Sequence, residues 1–215
     1  MPFIHVNGKN ILFLHIAKTG GTAVEDWMSG FGALQFHASI IPLFAKTTPQ
    51  HYTFEELMYF FTENFFDYAF TVVRDPYARI ESEFRMRALI AKKAFFKTHP
   101  TFSQWLGQAL DTTKTDKWNL DNHLRPQVDF IGSCVKVFKY EHGLDNIIAQ
   151  VAGDNGLPRP KASKIIYSGA KFTQPIVWDA QAILRVNTFF REDFALLGYP
   201  QREAPIAIQA APTQP

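Results

Sequence analysis

The chain has 215 residues, enough for one domain with a sizeable core. Hydrophobic residues make up 47% and charged residues 20%, the balance of a soluble globular protein, and 21 Phe point to a Phe-rich interior. A net charge of +2 lacks the basic excess of a dedicated nucleic-acid binder, so no nucleic-acid partner is expected.

Phe3–Val6 and Lys9–Leu14 flank Asn7-Gly8, the strongest short hairpin signal, because both turn positions require positive φ. Ile11–Leu14 is apolar on both faces, so this arm also reads as a buried parallel strand. The apolar run ends at Ile16 and gives way to Lys18-Thr19-Gly20-Gly21, with no basic segment before it. That pattern is neither a signal peptide nor a membrane span, and a cytoplasmic location is expected. After the loop Ala17–Thr22, Val24, Trp27 and Met28 share a helical face, with Glu25 and Asp26 in the first turns.

Glu55–Phe61 reads as a short helix and Tyr68–Val73 as a buried strand. Arg74-Asp75-Pro76 breaks that strand, and Pro76 opens a helix bearing Tyr77, Ile80, Phe84 and Ala88. Thr101 caps a helix with Phe102, Trp105 and Leu106. Val135–Tyr140 reads as another strand, preceded by the single cysteine, Cys134, which excludes an intrachain disulfide and fits a reducing compartment. A helix with Leu144, Ile147, Ile148 and Val151 follows, then one long helix from about Pro175 to Leu197, ending near Gly198. Residues 201–215, rich in Ala, Pro and Gln, read as a disordered tail. Alternating strands and helices predict an α/β fold with a mainly parallel central sheet flanked by helices, a P-loop-like three-layer arrangement.

Two strand–loop–helix stretches carry chemistry. In His15-Ile16-Ala17-Lys18-Thr19-Gly20-Gly21-Thr22, a strand runs through a glycine turn into a helix N-terminus, where free N–H groups attract an anion. Lys18 adds charge and two threonines add hydroxyls, but the lysine precedes both glycines, unlike a nucleoside-triphosphate loop. Taken alone, this loop reads equally as a phosphate site or a plain tight turn. In the second stretch, Arg74 closes a strand and Ser82 lies two turns into the following helix. An arginine after a strand is usually a surface ion pair. Two strand ends at one sheet edge, each suited to an anion, favour a ligand site.

Together these stretches resemble the PAPS-dependent sulfotransferases (PAPS is 3′-phosphoadenosine 5′-phosphosulfate), in particular the carbohydrate branch with the heparan sulfate 2-O- and chondroitin sulfotransferases. That family's phosphosulfate loop commonly reads H-I-P-K-T-G-G-T, and the chain departs from it only at Ala17. Its 3′-phosphate element, R-[DN]-P-x-x-R-x-x-S-x-[FY], is matched by Arg74, Asp75, Pro76, Arg79, Ser82 and Phe84. His123-Leu124-Arg125-Pro126-Gln127 resembles an H-x-x-P-Q segment of such enzymes, and Asp193–Tyr199 resembles their D-F-x-L-[FL]-G-Y ending. The resemblance implies one sulfotransferase-like domain over residues 1–200.

It also implies that Lys18, Thr19, Gly20, Gly21 and Thr22 hold the 5′-phosphosulfate, and that Arg74 and Ser82 hold the 3′-phosphate. Arg79 is either nearby or a structural ion pair. PAPS is then the co-substrate and 3′,5′-ADP the product, with no metal expected, and the acceptor is a hydroxyl, on a carbohydrate in this branch. Lys18 would neutralise the leaving oxygen. The acceptor's general base is expected at His37, where related enzymes place a histidine. His51 and His123 come next, and Glu55 or Glu56 would serve if the base is a carboxylate. His15 reads as a strand residue orienting the loop. His123, Arg125 and Gln127 are candidate acceptor contacts. Arg85, Arg87, Lys92, Lys93 and Lys97 form either a wall for an acidic polysaccharide or a solvated helix face. A P-loop-type small-molecule kinase, with Asp75 as its magnesium acid, and a non-catalytic nucleotide-binding module are the alternatives.

Overall fold

The computed structural model describes residues 1–38, 40–93, 100–158 and 175–204, with the backbone alone for 91–93. The first two strands, β1 (Phe3–Val6) and β2 (Lys9–Leu14), form the expected hairpin. Asn7 and Gly8 take φ of 52° and 74°, as the tight turn demands. The two readings of Ile11–Leu14 both hold. β2 pairs antiparallel with β1 on one side and parallel with β3 (Tyr68–Val73) on the other. β3 in turn pairs parallel with β4 (Val135–Lys139), completing a four-stranded, mostly parallel sheet in the order β1-β2-β3-β4.

Burial on both faces explains why β2 shows no polar alternation. Ile11 and Phe13 join Phe70 and Val72 under α1 (Gly21–Ser29) and α5 (Leu144–Asp154). Leu12 and Leu14 face the other way, against Tyr52, Phe130 and Leu57 of α2 (Phe54–Leu57). A second helical core joins α3 (Pro76–Lys93), α4 (Phe102–Thr115), α6 (Ala180–Phe189) and α7 (Arg191–Leu197) through Tyr77, Phe84, Phe102, Leu106, Val186 and Phe194. The chain is thus α/β with helices flanking the sheet. Among the described residues no helix is long and apolar enough to cross a membrane.

Two of the expected helices have other bounds, and β4 stops one residue short of Tyr140. α2 starts at Phe54, fixed by a Thr53–Glu56 capping box, and ends at Leu57. Beyond it the chain turns so that Phe61 packs on Phe3 and Phe36. The expected long last helix begins at Ala180, capped by Asp179, and breaks at Phe190 (φ −102°, ψ 27°). The break lets α7 turn the buried Asp193 carboxylate inward, where it accepts from the backbone N–H groups of Gln127 and Val128 and from the Gln127 amide. The first residues of the expected tail contact α3. The Arg202 N–H donates to the Tyr77 hydroxyl, and its guanidinium lies 4.3 Å from the Tyr77 ring centre and 5.0 Å from that of Trp178. Residues 205–215 lie outside the described residues.

Asp193→Ala would strand the backbone N–H groups of Gln127 and Val128 at about 1–3 kcal/mol each. We expect a loss of at least about 2 kcal/mol, seen as a melting temperature lowered by about 4–8 °C. A drop under about 2 °C would mean that these bonds do not hold α7 in place.

Candidate functional site

The loop between β2 and α1 is shaped by backbone that few residues tolerate. Lys18 adopts φ 71° and Gly20 φ 91°. Gly21 is required for a different reason: a Cβ there would overlap the His15 imidazole, which is buried beneath the loop. His15 is in turn anchored by the Glu25 carboxylate at 2.5 Å, and the Gln50 amide donates to both Glu25 oxygens. His15 therefore supports the loop, as the sequence suggested, and Glu25 is a buried partner in that support rather than an exposed first-turn acid. No side chain caps the N-terminus of α1. Its first N–H groups are left for a ligand or water.

Both arginines of the second motif close on this loop. Arg74 donates from Nη1 to the Lys18 carbonyl at 3.1 Å. Arg79 donates from Nε to the Ala17 carbonyl at 3.1 Å and from Nη2 to the carbonyls of His123 and Arg125. Arg79 is fully buried beside the loop, and its bonds go to carbonyls rather than to an acid, so the ion-pair reading of it does not hold among the described residues. The Arg74 guanidinium also lies 4.5 Å from the Tyr140 ring centre. Arg74, Asp75, Ala78, Tyr140, Glu141 and Leu144 line a groove of about 440 Å³, within the size range of small-ligand sites. Leu144 and Tyr140 also pack at Gly20, so the groove adjoins the loop. Ser82, half-buried, sits one turn beyond Ala78 on the same face of α3. Asp75 caps α3 through the Ala78 N–H at 2.8 Å, a structural task for the acid that a kinase would need for magnesium.

Lys18 is half-buried, and its Nζ donates to the Met86 sulfur at 3.4 Å. Burial lowers its pKa, Glu83 opposes that fall, and Arg74 and Arg87 deepen it. Three cations thus converge at the loop with one carboxylate among them, an arrangement that favours an anionic ligand. Glu83 has no exposure at all. Burial pushes its pKa up, but the hydrogen bond from His123 and the charge and hydrogen bond of Arg87 outweigh this and hold it at about 2. It accepts from Arg87 Nε at 2.7 Å and meets His123 Nδ1 at 2.8 Å.

A row of histidines runs beneath the loop. The His15 and His51 rings meet edge to face at 5.0 Å, and those of His51 and His123 at 4.8 Å. Each uses Nδ1 on a carboxylate: Glu25, Asp121 and Glu83 respectively. Leu120, Asp121 and Asn122 all have φ between 56° and 60°, a left-handed stretch costing roughly 1–2 kcal/mol per residue. Asp121 compensates by accepting from the Thr47 hydroxyl, the Thr48 N–H and hydroxyl, and His51. Asn122 donates to the His51 carbonyl and to Glu56. His51, Asp121 and His123 bring three metal-ligand-type atoms within 4.8 Å of one another. Both Asp121 oxygens already accept hydrogen bonds within this group.

The remaining sequence candidates fall in different places. Thr19 is buried, and its hydroxyl donates inward to the Ile16 carbonyl at 2.8 Å, leaving its backbone N–H for a ligand. Thr22 is exposed and lines a separate groove with Asp26, Ser29 and His37. His37 is exposed, with Nε2 3.6 Å from Glu25, the carboxylate that also anchors His15. Arg125 pairs with Asp129 at 2.5 Å. Gln127 is fully buried, its amide clamping both the N–H and the carbonyl of Arg74 at 2.9 Å, so it positions Arg74 and has no surface to offer a sugar. Trp105 packs on Phe84 and Phe102, and the Trp118 indole N–H donates to Glu56 at 2.6 Å. Arg85 and Arg87 pair with Glu81 and Glu83, which thins the basic wall, and the side chains of Lys92, Lys93 and Lys97 lie outside the described residues. Sequence reasoning missed Glu83, Asp121 and Tyr140. Only Glu83 carried a signal, its four-residue spacing from both Arg79 and Arg87.

Residues 1–200 match the model of the Sulfotransferase family. No curated protein and no solved structure matches the chain.

Glu83 has its ordinary value of 4.5 when unfolded and about 2 when folded. Its contribution to stability is present above the first value and is lost as pH falls through the second. Urea unfolding is expected to show Glu83→Gln less stable than the parent at pH 7, with the gap closing between pH 4.5 and about 2. A gap that stays constant across that window would mean that Glu83 is not held charged.

Proposed function

Since the chain belongs to the sulfotransferase family, we propose that it moves the sulfuryl group of PAPS to a hydroxyl on a carbohydrate and releases 3′,5′-ADP. The observation that carries this reading is the 3.1 Å bond from Arg74 to the Lys18 carbonyl. It joins the two motifs, which would bind opposite ends of the donor, into one cationic rim.

In this reading the 5′-phosphosulfate lies at the uncapped N-terminus of α1, against the N–H groups of Thr19–Thr22 and the Lys18 ammonium. The 3′-phosphate takes the free nitrogens of Arg74 and the face of α3 that carries Ser82. Transfer is an in-line displacement, as in phosphoryl chemistry. The acceptor oxygen forms a bond to sulfur while the bond from sulfur to the phosphate oxygen breaks and that oxygen keeps the electron pair. Lys18 neutralises the charge that develops there, where preorganised groups are most effective. Its lowered pKa is no obstacle, since an arriving anion favours the charged ammonium. The choice of a carbohydrate acceptor is supported by the His123–Gln127 and Asp193–Tyr199 segments.

A thermal-shift titration tests the donor half. At about 100 times its dissociation constant, 3′,5′-ADP should add about 2.7 kcal/mol, a rise on the order of 5–10 °C. Lys18→Ala and Arg74→Ala should remain folded, lose that rise and lose transfer from PAPS. Stabilisation by 5′-ADP with Mg²⁺ and not by 3′,5′-ADP would overturn the reading in favour of a kinase.

A further inference from the structure

Resting on that reading, we propose that His123 is the general base for the acceptor hydroxyl and that Glu83 is its positioning residue. One bonded path and one electrostatic path tie His123 to the loop. Glu83 binds His123 Nδ1 at 2.8 Å, and its charge also acts on the Lys18 ammonium. The Arg79 guanidinium spans the carbonyls of Ala17 and His123, so these two backbone segments are held one guanidinium apart.

The chemistry of the pair suits a base. Glu83 stays charged and takes only a hydrogen-bond donor from the imidazole, which puts the neutral ring's proton on Nδ1 and leaves Nε2 with its lone pair. Among the described residues His123 Nε2 has no hydrogen-bond partner, and the side chain keeps 13% exposure, so the ring is reachable from outside. Burial lowers the His123 pKa and Glu83 opposes this. The ring is therefore neutral at pH 7 and becomes a cation beside a fixed anion when it takes the proton. In the step, the acceptor O–H gives its proton to Nε2 as its oxygen bonds to sulfur. The proton leaves to solvent after 3′,5′-ADP departs.

The other histidines are less suited. His51 is flanked by the rings of His15 and His123, and its carboxylate, Asp121, is occupied in holding Thr47 and Thr48. His15 points at Gly21, and the Nε2 of exposed His37 faces the Glu25 carboxylate at 3.6 Å, in a groove it shares with Thr22. The charged and titratable groups around His123 are Glu83, Arg87 and Arg79 from α3, with His51 and Asp121 beside it.

Three readouts test the assignment with PAPS and a panel of 4-nitrophenyl glycosides as acceptors. His123→Gln should keep the melting rise with 3′,5′-ADP while transfer falls about 10²–10⁴-fold. In the parent protein, imidazole nitrogen NMR should find the Nδ1–H tautomer at His123, titrating below the ordinary histidine value. In Glu83→Gln that tautomer preference should weaken and the acidic limb of the rate profile should move further down, a change that a merely structural carboxylate would not produce. Near-parental transfer in His123→Gln, an Nε2–H tautomer in the parent, or loss of turnover in His37→Gln with His123→Gln active would each overturn the proposal. A parent protein that shows no melting rise with 3′,5′-ADP would instead fail the donor reading, which separates the two.

Discussion

The site depends on the direction in which two carbonyls point. Arg79 takes the Ala17 carbonyl and Arg74 that of Lys18, and these bonds fix the loop between β2 and α1 from its outer side. A loop with successive carbonyls turned to guanidinium groups is biased to present its N–H groups elsewhere, which is the property an anion site needs. Arg79 is an unusual device for this purpose. It is wholly buried, a costly place for a charge, and its bonds go to three backbone carbonyls with no carboxylate in contact. Burial lowers its pKa, and the fields of Asp193 and Glu83 oppose that. Asp193 and Glu83 thus help to hold the arginine charged, and through it the loop.

The same frame explains why Gln127 and Asp193 are interior residues. Gln127 grips both backbone polar groups of Arg74, and Asp193 grips Gln127 in turn. The position of Arg74 is therefore set by α7, more than a hundred residues along the chain. A guanidinium that must meet both a loop carbonyl and a ligand tolerates little error, since displacement of about 1 Å at such a site costs heavily in rate. Breaking the last helix at Phe190 is what allows this. A continuous helix would carry Asp193 around with its own periodicity instead of turning it to Gln127.

These tertiary demands mark where the sequence stopped being readable. The Asn7-Gly8 turn, the buried strands and the glycines of the loop follow from local rules, because positive φ and apolar runs are properties of a few adjacent residues. The α6–α7 break does not, since nothing in Asn187–Arg191 forbids helix and the reason lies at Gln127. Glu83 was hidden differently. Spaced four residues from Arg87 on a helix, it reads as one half of a solvated surface pair. Its burial is decided by His123, forty residues on, and by the left-handed stretch that delivers it. His37 was singled out by the family resemblance, and its exposure beside Glu25 is a product of the fold that the sequence did not show.

The strained stretch Leu120–Asn122 ties these observations together. Three successive left-handed residues would not persist without compensation, and the compensation is visible in the bonds of Asp121 and Asn122. A plain connection between α4 and the Pro126 turn has no need of such a conformation. What the conformation achieves is to set His123 against Glu83 while its carbonyl reaches Arg79, the residue that also fixes the loop. Through its bonds to the Ala17 and His123 carbonyls, Arg79 joins loop and histidine segment into one mechanical unit.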